Sequence, residues 1–213
     1  MTIPLATPAN LRKAMAHLAE NDPQLAPVIE RAGMPTIRPH SNHYEALISS
    51  ILSQQLSVKA AEAIERRFLE LFGGALPTPV QILTKDEETL RGIGISYAKA
   101  RYMLDLAAHI NDGRLSFDKI KKMPNDEVIA MLTDVKGIGE WTAHMYLMFC
   151  VGRLDVLPVG DLGIKNGVKK LYRLRDQPDA AKLREVARKK KWAPYESVAS
   201  WYIWHSLDNK PAI

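Results

Sequence analysis

The stretch Leu132-Thr133-Asp134-Val135-Lys136-Gly137-Ile138-Gly139-Glu140-Trp141-Thr142-Ala143 decides how the rest of this chain is read. Two glycines flanking one apolar residue permit a tight turn that Cβ atoms would obstruct. The residues after Gly139 start a helix, and the first amides of a helix have no partner inside it. With the helix dipole behind them, those amides form a site for a phosphate oxygen. Ile138, at the centre, is suited to anchor the turn in a core. Taken alone, the same glycines also fit an ordinary corner between two helices.

Outward from this turn, hydrophobic spacing is helical nearly everywhere. Tyr44, Leu47, Ile48, Ile51 and Leu52 follow the i, i+3, i+4, i+7, i+8 pattern of one buried helix face. Ile64, Phe68, Leu71 and Phe72 form a second such face, which Gly73-Gly74 should stop. Further helices are expected to begin near Pro79, Ser96, Asn125, Gly139, Asp161, Pro178 and Pro194, and two more to span roughly 9–20 and 24–32. Strand alternation and hairpin turns between apolar runs are missing from the pattern. The fold class expected is all-α. One internal echo stands out: Leu90-Arg91-Gly92-Ile93-Gly94 and Val135-Lys136-Gly137-Ile138-Gly139 each place Gly-Ile-Gly between two helices.

Composition narrows the function classes. With 213 residues, 46% hydrophobic and 25% charged, the chain fits one large domain or two small lobes, not a collagenous or disordered protein. Cys150 is the single cysteine, so neither a disulfide framework nor a cysteine cluster for zinc or iron–sulfur can form within the chain. His109, His144 and His205 lack ligand-like spacing. No apolar run approaches the roughly 20 residues that span a bilayer, and the start lacks a signal-peptide pattern. A soluble, cytoplasmic protein is expected. Net charge is +5, unevenly spread: residues 162–191 hold eleven basic residues against three acidic ones, which leaves the rest of the chain net acidic. That asymmetry suits a polyanion partner, although a solvated helix face has the same composition.

The turn and three further stretches, in order, resemble the helix-hairpin-helix DNA glycosylases, in particular the 3-methyladenine DNA glycosylase II (AlkA-like) branch. Ile51-Leu52-Ser53-Gln54-Gln55-Leu56-Ser57 resembles that family's minor-groove loop. Pro158-Val159-Gly160-Asp161-Leu162-Gly163-Ile164-Lys165 resembles the segment holding its essential aspartate. Lys191-Trp192-Ala193-Pro194-Tyr195-Glu196-Ser197 with Trp201-Tyr202-Ile203-Trp204 resembles its C-terminal signature. Glu196 stands where arginine is common. The residues before Tyr44 are too few for the mixed α/β domain of larger relatives, so the resemblance is to the compact form.

The resemblance implies roles residue by residue. Asp161 would face the sugar of a flipped-out nucleotide and stabilise the positive charge that builds there as the N-glycosidic bond breaks; a plain N-cap is the commonest job for Asp at such a junction, and the two roles are compatible. Bifunctional members carry a lysine at position 141. Trp141 in its place implies a monofunctional enzyme that uses water. Trp141 and Trp204 would line the base pocket and attract a cationic alkylpurine, and Met145, where some relatives have tyrosine, would widen it. Gln55 would fill the gap left by the flipped base, with Leu56 as the alternative wedge and Ile95, in the echoed corner, as a second one. Phosphate would lie on the amides of Gly137, Gly139 and Thr142 and near Lys165. The carbonyls of Thr133, Val135 and Ile138 would hold a structural Na+ or K+, with no cofactor needed for catalysis and no iron–sulfur cluster.

The implied fold is a single two-lobed helical domain over 1–213, with the DNA cleft between lobes. Residues 1–43 and the C-terminal helices would form one lobe, residues from about 44 to 155 the other, with the hairpin at 132–143. The implied partner is double-stranded DNA containing alkylated bases, met by a monomer away from any membrane. Two alternatives stay open: a non-catalytic DNA-binding module that keeps the hairpin, and a glycosylase for neutral bases, whose leaving group needs activation.

Overall fold

A computed structural model describes residues 4–207. Among them there are thirteen α-helices, one π-helical segment (Tyr146–Val151) and a single isolated β-bridge, Leu5 with Arg153. The chain folds into two units, residues 41–146 and residues 1–40 together with 147–213.

The discontinuous unit is built around its last helix. Helices α1 (Pro8–Asn21), α2 (Ala26–Ala32) and α11 (Leu162–Leu171) pack on α13 (Glu196–His205), and α12 (Ala180–Lys189) precedes it. Every residue of α13 from Ser197 to Trp204 is buried, which matches a sequence apolar on all sides rather than striped. Gly167 allows the closest approach, since a Cβ there would lie 2.4 Å from the Ile203 side chain. α1 starts where Thr7 Oγ1 accepts the Asn10 amide (3.1 Å) and Pro8 fills the first turn. After α1, fully buried Asp22 accepts the Trp192 indole N–H (2.8 Å) and the Tyr172 hydroxyl, so its charge lies among donors from distant segments.

The stretch 147–155, expected in the middle lobe, belongs here instead. Its backbone is bonded to the segment before α1 and to α13: Ala6 N–H to Gly152 O (2.7 Å), Leu154 N–H to Pro4 O (2.9 Å), Ser197 N–H to Leu154 O (2.9 Å). Those bonds satisfy backbone groups of the chain that follows the π-helical turn.

The continuous unit holds α3 (His43–Ser53), α4 (Val58–Leu71), α5 (Pro79–Leu83), α6 (Glu87–Gly92), α7 (Tyr97–Asn111), α8 (Phe117–Ile120), α9 (Asn125–Thr133) and α10 (Glu140–Met145). The apolar face of α3 is buried as Leu47, Ile48, Ile51 and Leu52, and α4 stops at Gly73 and Gly74, both left-handed (φ 80° and 88°). The long helix α7 is the scaffold: α3, α5 and α6 pack on it, and it buries Ala100, Met103, Leu106 and Ala107. The short helix α8, of four residues, was not legible from spacing.

Candidate functional site

The deciding turn leaves α9 at Thr133 and enters α10 at Glu140. Gly137 is left-handed (φ 82°), and a Cβ there would lie 2.1 Å from the Tyr102 ring of α7. Glycine is therefore required twice, by backbone angle and by space. Ile138 is buried, as its place between the glycines suggests. Gly139 is the N-cap, extended, and offers no side-chain acceptor to the amides of Glu140, Trp141 and Thr142. This helix start therefore has no side-chain N-cap. Asp105 of α7 fixes the front of the turn, accepting the Lys136 amide (2.8 Å) and lying 3.6 Å from the Lys136 ammonium. Within α10, Trp141 is 53% exposed and half-buried Met145 lies one turn on.

The Gln-Gln loop reaches this turn. Gln54 ends α3, and its Nε2 donates to the Gly137 carbonyl (2.9 Å). Gln55 follows at φ 56°, a left-handed angle that costs a non-glycine residue about 1–2 kcal/mol. Both Gln55 and Leu56 are exposed, so Leu56 does not serve as a buried end to α3. Lys99, in the first turn of α7, caps α3 from its other side, its ammonium donating to the Leu52 carbonyl (2.6 Å). Burial lowers the pKa of that ammonium from the ordinary lysine value.

Ile95 requires a correction. It is completely buried, so its side chain anchors the corner at Gly94 and cannot enter a base stack. The exposed groups there are Ser96 and Tyr97.

In the other unit, Asp161 is the N-cap of α11, and its Oδ1 accepts both the Ile164 amide (2.7 Å) and the Trp204 indole N–H (2.9 Å). A cap and an indole on one oxygen fix the carboxylate in a single orientation. Gly163 makes this possible, because a Cβ there would stand 3.0 Å from Trp204 and 3.1 Å from Asp161 Oδ1. Trp204, expected to offer its ring to a base, is 5% exposed and lies 6.1 Å from the Phe149 ring. Its indole N–H is directed at the carboxylate. Lys165 stands half-buried one turn beyond Asp161, and Leu162 beside it is 63% exposed.

Of the basic residues in 162–191, Lys182 and Lys189 pair with Glu185, and Lys190 lies 3.9 Å from Asp22. Glu196 begins α13 half-buried. Desolvation raises its pKa, the nearby Asp155 charge adds to this, and His17 partly opposes it. Sequence reasoning missed Gln54, Lys99, Tyr102, Asp105 and Gly163. Only Gln54 carried a local signal, as one half of the Gln-Gln pair.

Comparison with known proteins extends this geometry. Residues 48–194 match the HhH-GPD superfamily base excision DNA repair protein family. The alkylbase DNA glycosidase-like protein mag2 of Schizosaccharomyces pombe is 33% identical over 92% of this chain and 93% of its own length. The crystal structure of a DNA-3-methyladenine glycosidase from Bacillus halodurans superposes with a TM-score of 0.82 at 40% identity, covering 97% of this chain and 92% of that one. The S. pombe 3-methyladenine DNA glycosylase Mag1, in complex with abasic DNA, gives a TM-score of 0.74 at 35% identity over 90% and 95% of the two chains. With the matched family covering the hairpin, the Gln-Gln loop and the capping aspartate, this chain belongs to the HhH-GPD superfamily of base excision DNA repair proteins.

Proposed function

We propose that this chain is a monofunctional DNA glycosylase that releases alkylated purines of the 3-methyladenine and 7-methylguanine type from duplex DNA. The observation that carries the reading is Asp161, a carboxylate held by a helix amide and an indole N–H on the same oxygen. Such a group needs no reorganisation when positive charge develops on a sugar beside it.

The chemistry follows from charge. An alkylated purine is already cationic. As the bond from C1′ to the base nitrogen breaks, its electron pair moves to the ring and the base departs neutral. The sugar takes the positive charge, Asp161 stabilises it, and water adds to C1′ while its proton passes to the carboxylate or to solvent. No strong general acid is needed for this leaving group. Position 141 is tryptophan, so no amine attacks the sugar there, and Lys136 is engaged by Asp105. The exposed Trp141 ring suits a cationic base, a contact worth about 0.5–2 kcal/mol. Met145 would border it. Trp204 holds Asp161 in this reading.

Gln55 is the wedge that fills the gap in the duplex, with Leu56 beside it. The amides of Gly137, Gly139 and Thr142 take a phosphate, and Lys165 adds a phosphate contact of its own. The Val135 carbonyl accepts the Ile138 amide (3.1 Å) and, like any carbonyl, has a second lone pair. With Thr133 and Ile138 it would hold Na+ or K+, whose place would be structural. The single cysteine leaves this chain without the thiolates of an iron–sulfur cluster. The enzyme would work as an intracellular monomer on DNA.

Asp161→Asn tests the reading, because Asn caps helices as well as Asp and keeps an acceptor for both donors. Wild type should release free methylpurine with strands intact before alkali. The variant should lose release by on the order of 10²–10³-fold or more, with duplex binding retained. Full activity in the variant would overturn the mechanism. Wild-type binding without release would point to a binding module.

A further inference from the structure

The chain leading into Gln55 is held by contacts from the two glycine corners that echo each other in the sequence. On one side, the Gln54 side-chain amide donates to the carbonyl of Gly137 in the deciding turn, across 83 residues of sequence (2.9 Å). On the other, the ammonium of Lys99 donates to the carbonyl of Leu52 (2.6 Å). Lys99 itself belongs to the corner at Gly94: its own amide is capped by Ser96 Oγ (3.3 Å). Gln55 follows directly after these two anchored residues at φ 56°, a conformation that a non-glycine residue keeps only where its surroundings enforce it.

We infer that Gln54 and Lys99 are positioning residues that hold Gln55 in its exposed left-handed conformation, so that the wedge and the phosphate-binding turn act as one rigid piece. The inference rests on the reading of Gln55 as the wedge. Gln54 touches neither sugar nor base in this scheme. Its amide fixes the distance between the turn that grips the backbone and the side chain that replaces the flipped base. Without that bond the turn still binds phosphate, but the wedge samples other φ values and fills the gap less often. The loss should fall on base flipping, not on DNA association or on bond cleavage.

This gives a readout that a merely structural role would not move. Flipping costs most for a paired base and least for an unpaired one. Single-turnover release would be measured from 7-methylguanine opposite cytosine, and from the same strand opposite a tetrahydrofuran abasic analogue. Gln54→Ala and Gln54→Glu should each lose on the order of tenfold on the paired target and less than about threefold on the unpaired one. Gln54→Glu keeps the size of the side chain and removes the N–H donor, so it answers for any folding defect of the alanine variant. Lys99→Met should show the same pattern more weakly. Equal loss on both targets, or none on either, would overturn the inference. Gln55→Ala, run beside them, separates the two ideas. If Gln55→Ala discriminates between the targets and Gln54 variants do not, the positioning role alone fails. If Gln55→Ala does not discriminate, the wedge reading fails and takes the positioning role with it.

Discussion

At both Gly94 and Gly137 the chain leaves a helix, passes through a left-handed glycine (φ 95° and 82°), buries the next isoleucine and reaches a helix cap one residue later. The backbones match, but the caps do not. At the first corner the cap is Ser96, whose hydroxyl accepts the Lys99 amide. At the second it is Gly139, which has no side chain to offer. One corner therefore satisfies its own helix start and serves as scaffold. The other has no side-chain cap from its own N-cap residue. At the cap the two corners differ by a single side-chain hydroxyl, and the proposed phosphate site falls on the corner that lacks it.

The neighbours of the two glycines differ as well, and this supplies the largest expected effect. A Cβ at Gly137 would meet the Tyr102 ring at 2.1 Å, whereas one at Gly94 would meet only the Arg67 guanidinium, at 3.0 Å. The guanidinium is the far end of a flexible side chain and can move aside. Gly94→Ala should cost the backbone penalty alone, about 1–2 kcal/mol. Gly137→Ala adds overpacking against a ring buttressed by α7, for a total of about 3 kcal/mol or more. Urea unfolding of the two variants measures this directly. Equal losses would mean that Tyr102 yields easily and that the turn is less tightly seated than the packing indicates.

The caps can be exchanged next. Gly139 has ordinary φ (−88°) and open space around its Cβ direction, so Gly139→Ser fits without strain. It should stabilise the protein by a few tenths of a kcal/mol, because serine caps slightly better than glycine. The same hydroxyl would compete with a phosphate for the first-turn amides. The salt dependence of duplex binding should then lose about one phosphate contact from its slope. Ser96→Ala is the mirror experiment: about 1 kcal/mol less stable, with the slope unchanged. A Gly139→Ser variant with an unchanged slope would remove the phosphate from this turn.

The same comparison shows what a sequence can and cannot disclose. The Gly-Ile-Gly echo is legible, but its letters align Gly92-Ile93-Gly94 with Gly137-Ile138-Gly139. The backbone aligns Gly94-Ile95-Ser96 with them instead. The sign of φ is set by how each helix ends, and glycine spelling does not record it. In that frame Ile95 is the partner of Ile138, and both are buried. Helix starts were legible because their causes are local. Asp161, Ser96 and Asn42 each cap the amide three residues on. Asp161 could be singled out for the same reason, although its indole partner lies 43 residues away and Gly163 had no visible purpose. Gln54, Lys99 and Asp105 were hidden because their partners are remote in sequence, and no periodicity encodes a side chain bonded to a distant carbonyl.

The smallest effect tests how each corner holds the Gln-Gln loop. The corner at Gly137 uses a neutral amide, Gln54, and the corner at Gly94 uses a charge, Lys99. Only the second should sense pH. Burial disfavours the charged ammonium in the folded protein, so the folded pKa lies below the 10.5 of an exposed lysine. Between the two values the unfolded chain binds more protons than the folded one, and stability from this group rises with pH until 10.5 is passed. Other groups titrate in the same range, notably Tyr44 and Tyr202, whose burial raises their pKa and pulls stability the opposite way. Subtracting Lys99→Met from wild type removes those shared contributions. The difference in unfolding free energy should climb in favour of wild type as pH approaches 10.5, while the difference between Gln54→Ala and wild type stays flat. A flat Lys99 difference would mean that the ammonium is solvated and that its bond to Leu52 does not hold the loop. A slope in the Gln54 pair would mean that the two anchors are coupled, and that the corners cannot be treated as separate devices.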